Sequence, residues 1–305
     1  MLRSMYSGIS GLKNFQTKLD VIGNNIANVN TYGFKKGRVV FKDVFSQTSA
    51  GASAPTTTTG GTNPKQIGLG AQIAAIDTMH EGGSLQTTNR VLDLAVSGDG
   101  FFVVAEKATT PATGFINQQY TRAGNFYMDK NGDLVNSDGK YLYGVNNPLN
   151  AATPPVPATP ADQWKAPAGW TGATPPAGVT PGVINIPTDA QSMSIGKDGV
   201  VNYVDKDGKL QVAGQLILAK FPNTGGLEKQ GSNYYKETSN SGVANYNIGT
   251  QGGIGEVASG TLEMSNVDLS EEFTDMIVAQ RGFQANTRII TTSDEILQEL
   301  VNLKR

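Results

Sequence analysis

The two ends of the chain carry one pattern. Residues 5–30 set apolar side chains in two rows of period seven: Met5, Leu12, Leu19 and Ile26 form one, and Gly8, Phe15, Ile22 and Val29 the other. The last segment, 266–303, carries a matching row of Leu269, Met276, Phe283, Ile290 and Leu297. Rows of that period are the seam of a helix that must find a partner helix. The second C-terminal row reads Phe273, Gln280, Thr287, Asp294 and Val301, so its middle is polar; polar seam positions weaken a helix pair and fix its register. Asp268, with Glu271 three residues on, has the form of a capping box that opens this helix.

Bases outnumber acids in the N-terminal segment (Arg3, Lys13 and Lys18 against Asp20), and acids outnumber bases in the C-terminal one. Opposite charge favours pairing of the two ends, although each exposed ion pair adds little. If they pair within one subunit they run antiparallel, and any apolar stripe left over drives polymerisation. Gly8, Gly11 and Gly23 each weaken the first helix by up to ~1 kcal/mol relative to Ala. Alone in water it is marginal, and it is expected to fold on association. Asn24, Asn25, Asn28 and Asn30 crowd its end. They fit either a fraying terminus stopped at Gly33 or amides that bond neighbouring chains in a packed array.

Between the ends lies a different chemistry. Lys35, Lys36, Arg38 and Lys42 form a small basic cluster, read as a solvated face. The stretch 46–65, SQTSAGASAPTTTTGGTNPK, cannot build a core. It is either a mobile linker or a segment ordered against a neighbouring subunit, within a connector of residues 31–75. From 76 to 145 and 183 to 265 short apolar runs alternate with turn signals. Leu92, Leu94 and Val96 are followed by Gly98-Asp99-Gly100 and Phe101 to Val104. Asn131-Gly132, Asp138-Gly139, Asp198-Gly199 and Asp207-Gly208 mark hairpins with type I′ turns. This predicts a mostly antiparallel β domain, a sandwich or barrel-like module. The fold class is therefore α+β: terminal helices pairing as an antiparallel coiled coil, with an all-β domain inserted between them. Residues 146–182 hold nine of the fourteen prolines and both tryptophans, Trp164 and Trp170. That composition suits a surface insertion of polyproline character in which no regular strand persists.

Several function classes are excluded. There is no cysteine, so disulfides, zinc-thiolate sites and cysteine nucleophiles cannot occur. His80 is the sole histidine, which rules out multi-histidine metal sites. No Gly-x-Ser-x-Gly elbow accompanies it, and no phosphate loop or dinucleotide loop is complete. Asp129 to Asp133 and Asp205 to Gly208 lack the distal glutamate of a calcium loop. The reading is no enzyme, no cofactor and no metal. A net charge of −2 argues against a nucleic-acid partner. The N-terminus has no apolar core or cleavage site of a secretory signal, and no stretch is long enough for a membrane span. A β-sandwich adhesin displaying the Pro/Trp insertion remains a rival of another class, but adhesins do not need two amphipathic ends.

The stretch NNIANVNTYGFKK, Asn24 to Lys36, resembles the N-terminal signature of bacterial flagellar axial proteins, which include rod, hook and hook-associated members. Met276 to Leu303 resembles their C-terminal signature, and the GDGFF, YTRAGNF and IPTDAQSMSIG segments extend the likeness inward. The VAQRGFQAN core and LVNL ending are more similar to the hook branch than to the distal rod branch. Asn24, Asn25, Asn28, Gly33, Phe34, Gln280 and Arg281 carry the signature. The resemblance implies a structural subunit of the hook, a curved tubular joint that passes torque from rod to filament and surrounds the export channel. It implies a homopolymer meeting the hook cap, the distal rod and hook–filament junction proteins. It also implies passage through the flagellar type III export apparatus without signal cleavage, and a place in the extracellular part of the flagellum. One hook branch cross-links its subunits through a cysteine-derived residue; this chain has no cysteine for that chemistry. On this reading the helical core is expected to slide little while the β domains change spacing, a role that the Gly- and Thr-rich stretch 46–65 suits.

Overall fold

A computed structural model describes residues 2–107, 115–146 and 181–303. They divide into two compact units: one from residues 2–29, 36–79 and 267–303, the other from 30–35 and 80–266. Nearly all of the proline-rich stretch 146–182 lies outside the described residues; at its far end Pro181–Val183 is a short strand paired with Tyr141–Asn146.

The first unit is built on two helices, α1 (Leu2–Ala27) and α2 (Leu269–Asn302). They run antiparallel: Gly8 faces Ile290, Gly11 faces Asn286, Phe15 faces Gly282, and Lys18 pairs with Asp275 at 3.1 Å. Asp268 caps α2 as its sequence suggested, accepting the N–H groups of Ser270 and Glu271 at 2.8 and 3.4 Å. Glu271 turns its carboxylate to Lys36 at 2.8 Å. The partner that α1 needs is thus present in its own chain.

Four strands complete this unit: β1 (Gly37–Asp43), β2 (Ser46–Ala50), β3 (Lys65–Gly68) and β4 (Ala71–Thr78). β1 pairs with β4, and β2 with β3, all antiparallel. The Ser/Thr-rich stretch is therefore a hairpin and not a structureless linker. Its side chains are all exposed and bury no core of their own, but its backbone groups find each other, with Ser53 and Thr62 bridged across the far end. β4 runs through residues 75 and 76, where the sequence suggested that the connector ends. The β1–β4 ribbon lies on α1, with the Phe15 and Phe41 rings 6.3 Å apart.

The second unit is antiparallel throughout. Its main sheet runs Ser192–Ile195, Val200–Val204, Leu210–Leu216, Tyr141–Asn146, Phe101–Lys107, Phe115–Thr121, Tyr234–Lys236, Glu228–Gly231. The run Phe101 to Val104 explains the architecture. Phe102 and Val104 enter one apolar cluster with Leu94, Leu142 and Leu216, and Phe101 and Val103 enter another with Tyr120, Ile217 and Phe221. A strand buried on both faces reads as a continuous apolar run, and each such side chain contributes about 1.5–3 kcal/mol. The strands around Leu94–Ser97 and Phe101–Lys107 do not pair with each other; Leu94–Ser97 pairs with Glu256–Ser259.

Glycines 132, 139, 199 and 208 all take positive φ, as the turn signals required. The residues before them do not, which excludes type I′. Each instead closes the same two bonds. Gly132 donates to Asp129 and Asp129 to Asp133; the pattern repeats at Asn136, Gly196 and Asp205. This is a type I turn followed by a left-handed glycine, the three-residue alternative for joining twisted strands. Asp129 and Asp205 each accept the backbone N–H of the following lysine.

His80 packs edge-on to Phe101 and Tyr235, 5.7 and 5.3 Å between ring centroids, and bonds the Thr224 backbone. Burial, reinforced by Lys35, Arg122 and Lys229, pushes its pKa down to about 4. A group whose folded pKa is depressed from about 6.5 holds its neutral form, so its contribution is full above that pH and is lost as pH falls toward 4. His80→Gln is expected to flatten the pH dependence of β-unit stability between those values, checked by urea melts against the parent chain.

Candidate functional site

The helix pair is where the sequence pointed, and the structure shows which face each row occupies. On α2, of the expected row, Met276, Ile290 and Leu297 are half-buried, Ile290 against Gly8, while Leu269 and Phe283 are exposed. The second inward row is not the expected one. Glu272, Ala279, Asn286 and Ser293 turn inward, and Ala279 is 0% exposed. Phe273, Gln280, Thr287, Asp294 and Val301 all point outward, Phe273 at 49% and Val301 at 65%. Both choices lie three or four residues from the Met276 row, so period alone does not separate them. Size does. Gly8 and Gly11 give α1 a flat strip, and a Cβ on Gly11 would come within 2.8 Å of the Asn286 amide. The glycines make room for larger groups on the facing helix: Gly8 and Gly11 for Ile290 and Asn286, and Gly282 for Phe15, whose ring a Cβ there would approach to 2.5 Å.

On α1 the expected residues Met5, Leu12, Phe15, Leu19 and Ile26 are half-buried and Ile22 fully buried, and Val29, just past the helix end, is half-buried too. They are shared between α2 and the β1–β4 ribbon. Asn25 joins all three elements. Its side chain donates to the Gly37 carbonyl and accepts the Gly37 N–H, both at 2.9 Å, pairing with that strand residue as backbone would. It also bonds Glu272, whose carboxyl pKa is raised by burial and held back by that bond. Asn28 bonds the Asn24 carbonyl and side chain at 2.9 and 2.6 Å, closing the last turn of α1. These amides therefore have partners in their own chain. Gly33 follows the helix end by six residues and takes φ +69°; a Cβ there would lie 2.6 Å from the Arg122–Ala123 backbone. Phe34 receives the Lys229 ammonium over its ring at 5.1 Å. Gln280 and Arg281 are exposed.

The basic cluster is a solvated face only in part: Arg38 and Lys42 are exposed, Lys36 is half-buried and Lys35 is buried. Lys36 and Arg38 pair with Glu271 and Asp77, at 2.8 and 3.6 Å. Lys35 is 0% exposed and meets Glu263 at 2.5 Å.

What remains outside is apolar. Tyr6 and Ile9 on α1, and Leu269, Phe273, Ile277, Val278, Ile289, Ile296, Leu300 and Val301 on α2, are exposed, Ile277 at 59%. Beside Phe15 and Ile290 the helices set small and polar residues against each other, and these further large apolar side chains stay exposed.

Known proteins carry the same segments. Residues 5–35 match the family described as "Flagella basal body rod protein", 95–203 the "Flagellar hook protein FlgE/F/G D1 domain", and 258–303 the "Flagellar basal body rod FlgEFG protein C-terminal". The flagellar basal-body rod protein FlgG of Bacillus subtilis (strain 168) is 55% identical over 306 residues, spanning all of both chains. The chain belongs to the flagellar rod and hook axial protein family. The flagellar hook protein FlgE of Borreliella burgdorferi is 34% identical over 449 aligned residues, and the FlgG rod protein of that organism 35% over 308, each spanning all of both chains. The first and third matched stretches contain the helix pair. Among the described residues no helix is long and apolar enough to cross a membrane.

Gly282 and Gly23 give opposite tests. Gly282→Ala is expected to lower the stability of the helix pair by about 1–3 kcal/mol through overpacking on Phe15. Gly23 has nothing within 4 Å of its virtual Cβ, so Gly23→Ala is expected to raise it by up to ~1 kcal/mol. Urea melts followed by the helical circular dichroism signal of the full-length chain check both signs.

Proposed function

We propose that the chain is a structural subunit of the flagellar hook that polymerises through its terminal helices into a curved tube. The tube passes torque from rod to filament and surrounds the export channel. The observation that carries this reading is the outer face of α1 and α2, where Phe273, Ile277, Ile289, Ile296 and Val301 stand uncovered while smaller residues are buried. A face of that length and apolarity calls for neighbouring copies of the same chain. The subunit has no catalytic role; its work is assembly. Its partners are further copies, the hook cap, the distal rod, the hook–filament junction and the flagellar type III apparatus that exports it, and its place is outside the cell envelope. The hook assignment rests on the VAQRGFQAN core and LVNL ending of α2, and on the full-length alignment with a protein named as hook.

A specific observation favours a second reading, the distal rod. The relative at 55% identity is named as a rod protein, and it aligns without the added length that the hook alignment needs. Electron microscopy of tubes assembled from the purified chain separates the two. A curved, flexible tube is expected; a short, straight one would move the subunit to the rod, and the absence of any tube would remove both readings.

A further inference from the structure

The chain passes between its two units four times: after residues 29, 35, 79 and 266. On the β unit's side, the segments next to these crossings converge on one carboxylate. Glu263 ends the strand Thr261–Glu263 and is 1% exposed. Its Oε1 accepts from the Lys35 ammonium at 2.5 Å and from the Gly83 N–H at 3.0 Å. Its Oε2 accepts from Arg122 Nη1 at 3.2 Å, and its backbone carbonyl accepts the Gly33 N–H at 2.8 Å. Lys35 also donates to the Glu81 carbonyl at 2.7 Å, and Asn266 reaches the same oxygen at 3.4 Å. Arg122 in turn donates to the carbonyls of Val96 and Gly98, which lie in and beside a strand of the unit's core.

We propose that Glu263, bridging Lys35 and Arg122, is the anchor that fixes the segments 30–35, 80–84 and 263–266 to the β unit. Load that enters the β unit through these segments then reaches the sheet through this fixed node. Two cations share one carboxylate in a site closed to water, and removing the carboxylate strands both charges. The site is costly to keep for stability alone, since a buried charge cluster of this kind is often no better than a packed apolar one. What it supplies is geometry: three separate chain segments are held by one side chain, with each donor aimed at a different lone pair. Residues 30–35 therefore act as part of the β unit. The mechanical consequence rests on the axial-subunit reading; the anchor itself does not.

Amide hydrogen exchange on the unpolymerised full-length chain tests the anchor. Glu263→Gln is expected to accelerate exchange at both Gly33 and Gly83 on the order of a hundredfold. The Val104 and Leu142 amides of the sheet should stay within about threefold. Lys35→Met leaves the Glu263–Arg122 pair and the Gly83 bond in place, so it is expected to accelerate Gly33 and spare Gly83. Unchanged exchange at Gly33 in both variants, or a uniform rise that includes Val104 and Leu142, overturns the proposal. Tubes assembled from the Lys35→Met chain are expected to show a shorter bending persistence length in electron micrographs; an unchanged length overturns the load-bearing role. Failure of the parent chain to form tubes would count instead against the axial-subunit reading.

Discussion

The structure depends on a division of labour between two faces of one helix pair. Close approach of α1 and α2 requires small groups at the contact, and Gly8, Gly11, Ala279 and Gly282 supply them. The bulky side chains Phe273, Ile277 and Val301 lie exposed, away from that contact. In a monomeric protein the arrangement would be inverted, since burying large apolar groups is what stabilises a helix pair. In the proposed assembly that burial comes only when copies meet. The same economy explains why α1 is wrapped by the β1–β4 ribbon on a second face. A helix weakened by three glycines needs contacts that its own propensity does not provide.

Polar groups do the orienting. Asn25 pairs with Gly37 as a strand residue would and bonds Glu272, so one amide fixes α1, β1 and α2 together. Glu263 plays the corresponding part in the β unit, gathering Lys35, Gly83 and Arg122. Both are buried polar side chains with several partners each, a kind of site that sets geometry more than it adds stability. Asn25, Gly33, Phe34, Lys35 and Lys36 all fall within the N-terminal signature, and the first four make contacts that depend on their own chemistry. Gly33 is needed for its backbone conformation and for its approach to Arg122 and Ala123.

Much of this was legible in the sequence. The period-seven row of Met276, Phe283, Ile290 and Leu297 gave the helix and one edge of its seam, and Asp268 gave its start. The second row was misread because both candidate rows lie three or four residues from the Met276 row, and the polar middle of Phe273, Gln280, Thr287, Asp294 and Val301 was read as a register-setting seam when it lies outward. The signal for the true row was large groups set against glycines, with Ile290 and Asn286 opposite Gly8 and Gly11, and Phe15 opposite Gly282. The turn glycines were legible from their dipeptides, but the turn type was not. Asp-Gly and Asn-Gly satisfy a type I turn with a left-handed glycine as well as type I′, and the length of the loop decides between them. Lys35 looked like one member of a solvated basic run. Its carboxylate partner lies more than two hundred residues away, so no local pattern marked it as buried.

The central claim is that copies of this chain cover the outer helix face. Because the sequence has no cysteine, single introduced thiols report accessibility without background. Maleimide labelling of Ile277→Cys would be compared in dissociated chains and in assembled tubes, with Ser293→Cys on the inner row as the slow reference. The account predicts rapid labelling at position 277 in dissociated chains and protection by about tenfold or more in tubes. Equal labelling of position 277 in both states would contradict it.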